Sequence, residues 1–177
     1  MSKNINLVRD AIRDVPDFPK KGIVFKDITP ILQDPDLLRI SVDILYDVCK
    51  DEDIDYVCGI ESRGFIFGAA LALRLNAGFV PVRKPGKLPA DTFTREYELE
   101  YGINALEVHR DAFHPGANVL IIDDLLATGG TAAAAAHLVE QCGAKVEHIL
   151  FLIELSFLNG QKAIEKYPVT SLIKYNS

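Results

Sequence analysis

Residues 119–131 read Val-Leu-Ile-Ile-Asp-Asp-Leu-Leu-Ala-Thr-Gly-Gly-Thr. Two adjacent carboxylates, Asp123 and Asp124, follow an apolar run. Leu125 and Leu126 separate them from a turn of small residues, Ala127, Thr128, Gly129, Gly130 and Thr131, at the start of a helix. The chemistry that suits this order is the grip of a sugar phosphate. A pentose with vicinal hydroxyls presents two donors to the carboxylates, while backbone N–H groups and two hydroxyls at a helix N-terminus suit a phosphate dianion. Like charges side by side cost free energy that a purely structural loop has no reason to accept. The plainer alternative makes one Asp a helix cap and the other a solvated loop residue. The sugar-phosphate reading is preferred because apolar strand, acid pair and Thr-Gly-Gly-Thr turn coincide in the required context.

The elements around this segment must place it. Val119–Ile122 is too short for a helix and too apolar for a surface strand, so it reads as a buried parallel strand, whose carboxyl end is where open α/β sheets bind ligands. Strands are expected at 54–60, 79–82 and 146–152, and helices at 64–76 and 131–141, with Gly143 as a stop. This alternation implies an α/β fold, a mostly parallel central sheet flanked by helices. Ahead of it, a helix is expected over 3–13, ended by Pro16, Pro19 and Gly22. An irregular stretch follows over 24–30, and then a helix starting near Asp34 and Pro35 that buries Leu38, Val42, Leu45 and Val48. Residues 83–116 turn charged and aromatic, with strand-like pieces at 96–101 and 105–110. They are too long for an ordinary connection and read as a flexible lid. The tail reads as a short helix over 159–166 and a last strand over 169–174.

Two further clusters can carry chemistry. Glu61, Ser62, Arg63 and Gly64 fall where a strand turns into a helix, so backbone N–H groups and the guanidinium can face an anion. Arg83, Lys84 and Lys87 concentrate positive charge at the next strand end. A bare cluster of that kind is more often a solvated face, but its position beside the lid favours a polyphosphate.

The whole chain sets limits on partners. Its 177 residues suffice for one domain with its own core, and 49% apolar with 25% charged residues is ordinary for a globular protein. A net charge of −6 disfavours nucleic acid and anionic membrane surfaces, and the apolar runs are too short to span a bilayer. The mixed charges at 1–15 are unlike a signal peptide, so a cytoplasmic location is expected. Cys49, Cys58 and Cys142 have no paired spacing and read as reduced, packed thiols, and the four histidines lack the spacing of a zinc site.

With these motifs in hand the chain resembles the type I phosphoribosyltransferases. The segments Gly22–Ile28, Glu61–Phe65, Arg83–Pro89 and Leu99–Gly102 occur in the order and spacing of the branch that uses adenine, and the resemblance spans nearly the whole chain. Lys26 stands where arginine is also common. The resemblance implies a single domain over 1–177, with an N-terminal helix and base-binding hood over 1–33 and a mobile active-site loop within 83–116. It implies the conversion of adenine and 5-phosphoribosyl 1-pyrophosphate to AMP and pyrophosphate. Magnesium would be held mainly by substrate oxygens and water, and a homodimer is implied in which Arg83 reaches the neighbouring subunit's site. It assigns ribose 5-phosphate to Asp123, Asp124 and Ala127–Thr131. Pyrophosphate goes to Glu61–Gly64, Arg83, Lys84 and Lys87. Adenine goes to Val24, Phe25 and Lys26, with Leu125 as an apolar wall and Glu100 as the group near N7. Among Glu96, Glu98 and Glu100 only the motif singles out Glu100. Another purine base, or a non-catalytic purine-responsive regulator of the same fold, remains the alternative.

Overall fold

The computed structural model describes residues 2–99 and 102–177. They fall into two units, Met1–Cys49 and Lys50–Ser177. The first therefore includes the helix after residue 33 as well as the expected hood segment.

The N-terminal unit holds α1 (Ser2–Ala11), β1 (Arg13–Pro16), β2 (Val24–Asp27), α2 (Thr29–Gln33) and α3 (Pro35–Cys49). Helix α1 ends earlier than expected because the chain at Arg13 begins to pair antiparallel with β2, from Arg13↔Asp27 to Pro16↔Val24. The stretch expected to be irregular is thus a strand followed by a short helix. Four residues without alternation carry no period to read, and only the partner strand orders them. Asp27 fastens the arrangement. Its carboxylate accepts from Arg13 Nε at 3.0 Å, from the Thr29 N–H at 2.9 Å and from Thr29 Oγ1 at 2.8 Å. Asp34 caps α3 by accepting the N–H groups of Asp36 and Leu37. The buried stripe of α3 contains Val42 and Leu45 as expected, but joins them with Ser41, Ile44 and Cys49 rather than with Leu38 and Val48.

The second unit holds β3 (Tyr56–Ile60), α4 (Gly64–Leu75), β4 (Gly78–Val82), β5 (Thr92–Leu99), β6 (Gly102–His109), β7 (Asn118–Leu126), α5 (Gly130–Gln141), β8 (Lys145–Leu155) and β9 (Val169–Tyr175). Five strands form one sheet in the order β4-β3-β7-β8-β9, and every neighbouring pair is parallel. β7 is central, and Val119, Leu120, Ile121 and Ile122 are all fully buried, as a strand covered on both faces requires. Under α5, the side chains of Cys58, Val119, Ile121 and Ile149 pack with Ala135 and Leu138.

Within the segment 83–116, β5 and β6 form an antiparallel hairpin, in register from Thr92↔His109 to Leu99↔Gly102. Leu106 and Val108 are buried in the core while Glu107 between them is not, the period-two pattern of a half-buried strand. Arg83 and Glu107 exchange backbone hydrogen bonds of 2.9 and 2.7 Å, tying the hairpin to the end of β4. The short helix expected in the tail is instead two 3-10 turns, Ser156–Leu158 and Gly160–Ile164.

Candidate active site

Strand order decides where a site can form. β3 leads through α4 to β4, and β7 leads through α5 to β8, so the chain departs in opposite directions from two adjacent strands. The crevice at the carboxyl ends of such a pair is where open α/β sheets take ligands.

β7 does not end at the acid pair as expected; it continues through Asp123 and Asp124 to Leu126, still paired with β8. The two acids, on successive strand positions, differ in exposure. Asp124 is 3% exposed and Asp123 is half-buried. The Asp124 carboxylate accepts from Arg63 Nε at 2.5 Å, and the Asp124 N–H donates to Asp123 Oδ1 at 2.9 Å. Burial, and then the neighbouring Asp124 charge, push the Asp123 carboxyl well above the ordinary carboxylate range. Arg63 reaches this point because α4 starts against β7. A Cβ on Gly64 would lie 2.6 Å from the Ile122 carbonyl oxygen and 3.1 Å from Asp123 Oδ1, so this first helical position requires glycine.

Glu61, Ser62, Arg63, Lys84, Asp123 and Asp124 together line a cleft of about 260 Å³, and the Glu61–Ser62 peptide within it is cis. Glu61 accepts from Arg83 Nε at 3.1 Å and from the Lys84 N–H at 3.0 Å. Burial opposes its charge, but the Lys84 N–H and the Arg83 guanidinium outweigh burial and hold its carboxyl below the usual range. Arg83 directly follows β4. Its guanidinium is engaged within its own chain, by Glu61 and by the Lys87 carbonyl at 3.2 Å. Lys87 is exposed and is not among the residues that line the cleft.

The small-residue turn forms a second, smaller depression of about 110 Å³, lined by Asp123, Leu125, Ala127, Thr128, Gly129 and Thr131 together with Leu126, Ala132 and Phe151. Gly129, the residue before α5, has φ +85° and no side chain caps the helix start. A Cβ there would also run into the Gly160 carbonyl oxygen. Phe151 and the Gly160 support escape sequence reading, since neither belongs to a local pattern.

The base-binding candidates belong to the N-terminal unit. Val24 is exposed on β2, the Phe25 ring stands edge-on to Phe18 with centroids 5.2 Å apart, and Lys26 Nζ donates to Asp14 Oδ1 at 2.7 Å. Leu125 lines the second depression. Glu100 lies outside the described residues.

The second unit thus sets two uncapped helix starts beside a shared acid, Asp123, with cations on one side. This suits a ligand carrying phosphate groups at both ends of a polyhydroxylated spacer. The sequence matches the Phosphoribosyl transferase domain family over residues 27–175. It is 55% identical to the adenine phosphoribosyltransferase of Caldanaerobacter subterraneus over 95% of this chain and 97% of that one. The crystal structure of adenine phosphoribosyltransferase from Thermoanaerobacter pseudethanolicus superposes with a TM-score of 0.94 at 53% identity, covering 97% of this chain and 99% of that one. The chain belongs to the adenine phosphoribosyltransferases. The Saccharomyces cerevisiae member, solved in complex with an imino-altritol bisphosphate and adenine, has a TM-score of 0.92 at 43% identity, covering 97% of this chain and 99% of that one. The five-stranded parallel sheet with flanking helices is the type I fold of this family. Among the described residues, no helix is long and apolar enough to cross a membrane.

The acid pair gives this adenine phosphoribosyltransferase a pH signature in its stability. The Asp123 carboxyl has an ordinary value of 3.8 and is raised on folding. The folded chain therefore binds more protons than the unfolded chain between those two values, and the stabilising contribution present below the lower one is lost as pH rises through the upper. Asp123→Asn does not titrate. Urea denaturation of both chains from about pH 4 upward should show the parent losing stability relative to the variant, and parallel curves would contradict the assignment.

Proposed function

We propose that this chain transfers the phosphoribosyl group of 5-phosphoribosyl 1-pyrophosphate to adenine, forming AMP and pyrophosphate in purine salvage. The observation that carries the reading is the junction at Asp123, where the cation-lined cleft and the small-residue turn meet on one strand end. In this reading the turn Ala127–Thr131 receives the 5-phosphate through backbone N–H groups, and Ser62, Arg63 and Lys84 receive the pyrophosphate. Asp123 and Asp124 face the ribose hydroxyls between them. The raised proton affinity of Asp123 lessens the cost of setting two acids side by side at the diol. Substitution at the anomeric carbon builds positive charge on the sugar as pyrophosphate departs, and in this reading the Asp124 carboxylate, held by Arg63, stabilises that charge.

Magnesium belongs to this reading as a companion of the donor. The carboxylates facing the cleft are Asp123, Asp124 and Glu61, of which Glu61 is already engaged by Arg83 and Lys84. So sparse a donor set fits a small hard ion that keeps water and substrate oxygens as most of its ligands, with Asp123 and Asp124 toward its water shell. Bound there, the ion supplies neutralisation of charge on the leaving pyrophosphate.

Val24, Phe25 and Lys26 form the base-binding hood in this reading, with the Phe25 ring stacking on the purine. Glu100 exchanges a proton with N7 of adenine. The enzyme works as a homodimer in the cytoplasm, where three cysteines outside any disulfide are at home.

Three measurements test this. When free nucleobases are incubated with donor and magnesium, adenine alone should yield nucleotide; strong turnover of hypoxanthine, xanthine or orotate, or of no base, would overturn the assignment. Glu100→Gln should lower kcat by about 100-fold with little change in KM for the donor, and a defect confined to donor KM would remove the proton-transfer role. Sedimentation equilibrium should return twice the chain mass, and a monomer at assay concentration would end the dimer proposal.

A further inference from the structure

Glu154 sits in the core beside the end of the site strand and lines neither depression. On β8 it pairs with Leu126, the last residue of β7, and on its other side with Lys174 of β9. Only 5% of it is exposed, a costly place for a carboxylate unless donors surround it. They do. Ser156 Oγ donates to Oε1 at 2.9 Å, Gln161 Nε2 donates to Oε2 at 2.8 Å, and Lys174 Nζ lies 3.3 Å from Oε2. One buried acid therefore holds both ends of the segment 156–161.

What that segment carries is Gly160. This buried glycine backs directly onto the small-residue turn: a Cβ on it would run into the Ala127 carbonyl oxygen and lie 3.1 Å from the Gly129 nitrogen. The reverse also holds, since a Cβ on Gly129 would strike the Gly160 carbonyl oxygen. The two backbones touch with no room for a methyl group, and no side chain caps the start of α5. The turn takes its shape from the segment behind it.

We propose that Glu154 is a positioning residue for donor binding: through Ser156 and Gln161 it sets Gly160 against the turn 127–130 and so fixes the backbone N–H groups that receive the 5-phosphate. This rests on the reading that the turn binds that phosphate. The mechanism requires an effect on the phosphate-bearing substrate and none on the base, which general loss of stability does not produce.

Two readouts on the full-length enzyme decide it, the KM values for donor and for adenine, and the Kd for ribose 5-phosphate by calorimetry. Glu154→Gln loses one acceptor and places a second amide against Gln161. Donor KM and ribose 5-phosphate Kd should each rise about tenfold, while adenine KM and kcat stay within about twofold. Gln161→Ala leaves Ser156 and Lys174 on the carboxylate and should move the same two constants about threefold; it decides the matter if the first variant does not fold. Donor KM and ribose 5-phosphate Kd unchanged in the folded variants, or a parallel rise in adenine KM, would overturn the positioning role. If the parent itself fails to bind ribose 5-phosphate, the assignment of the turn falls, and the role of Glu154 falls with it.

Discussion

Two carboxylates on consecutive residues of a strand buried on both faces are an electrostatic liability, and the second unit is organised around containing it. Asp123 and Asp124 line the same cleft and stay close enough that the Asp124 charge raises the Asp123 carboxyl, while Asp124 itself is almost wholly enclosed. Removing a lone carboxylate from water is prohibitive. Arg63 meets that demand, and it can do so only because β3 is the parallel neighbour of β7 and because Gly64 lets α4 begin in contact with the Ile122 carbonyl. Asp123 responds with a proton affinity raised by burial and by the Asp124 charge. The same strand end thus offers one acid held by a cation and one whose proton affinity is raised, two environments for one residue type.

Much of this was legible because the signals were local. The apolar run before the acid pair, the Gly-rich turn and the alternation of strands and helices each report on a few consecutive residues, and strand existence, helix positions and the switch-point crevice follow from them. What escaped depends on partners distant in sequence. β1 and β2 exist as a pair and have no period of their own. β7 runs past Ile122 because β8 continues beside it to Glu154, and nothing in Asp-Asp-Leu-Leu announces that. Within the polar segment 83–116, the burial of Leu106 and Val108 depends on the core they meet and not on their neighbours in sequence. The Gly160 support behind Gly129 joins turns about 30 residues apart, a contact that no spacing rule contains.

The cleft also resolves an apparent contradiction in its own composition. An acid, Glu61, stands at the mouth of a site read as receiving pyrophosphate, where its charge would repel the ligand. Its two acceptor interactions change that balance. Arg83 and the Lys84 N–H both converge on Oε2, so the carboxylate serves as the anchor that draws the end of β4 and its cations toward the end of β3. Arg63 is bonded to Asp124 and Arg83 to Glu61, and Lys84 adds a third cation to the lining of the cleft. Because each acid is already bonded to a cation or an N–H, the positions of these cations are set before a ligand arrives, and little reorganisation is left for the moment of reaction.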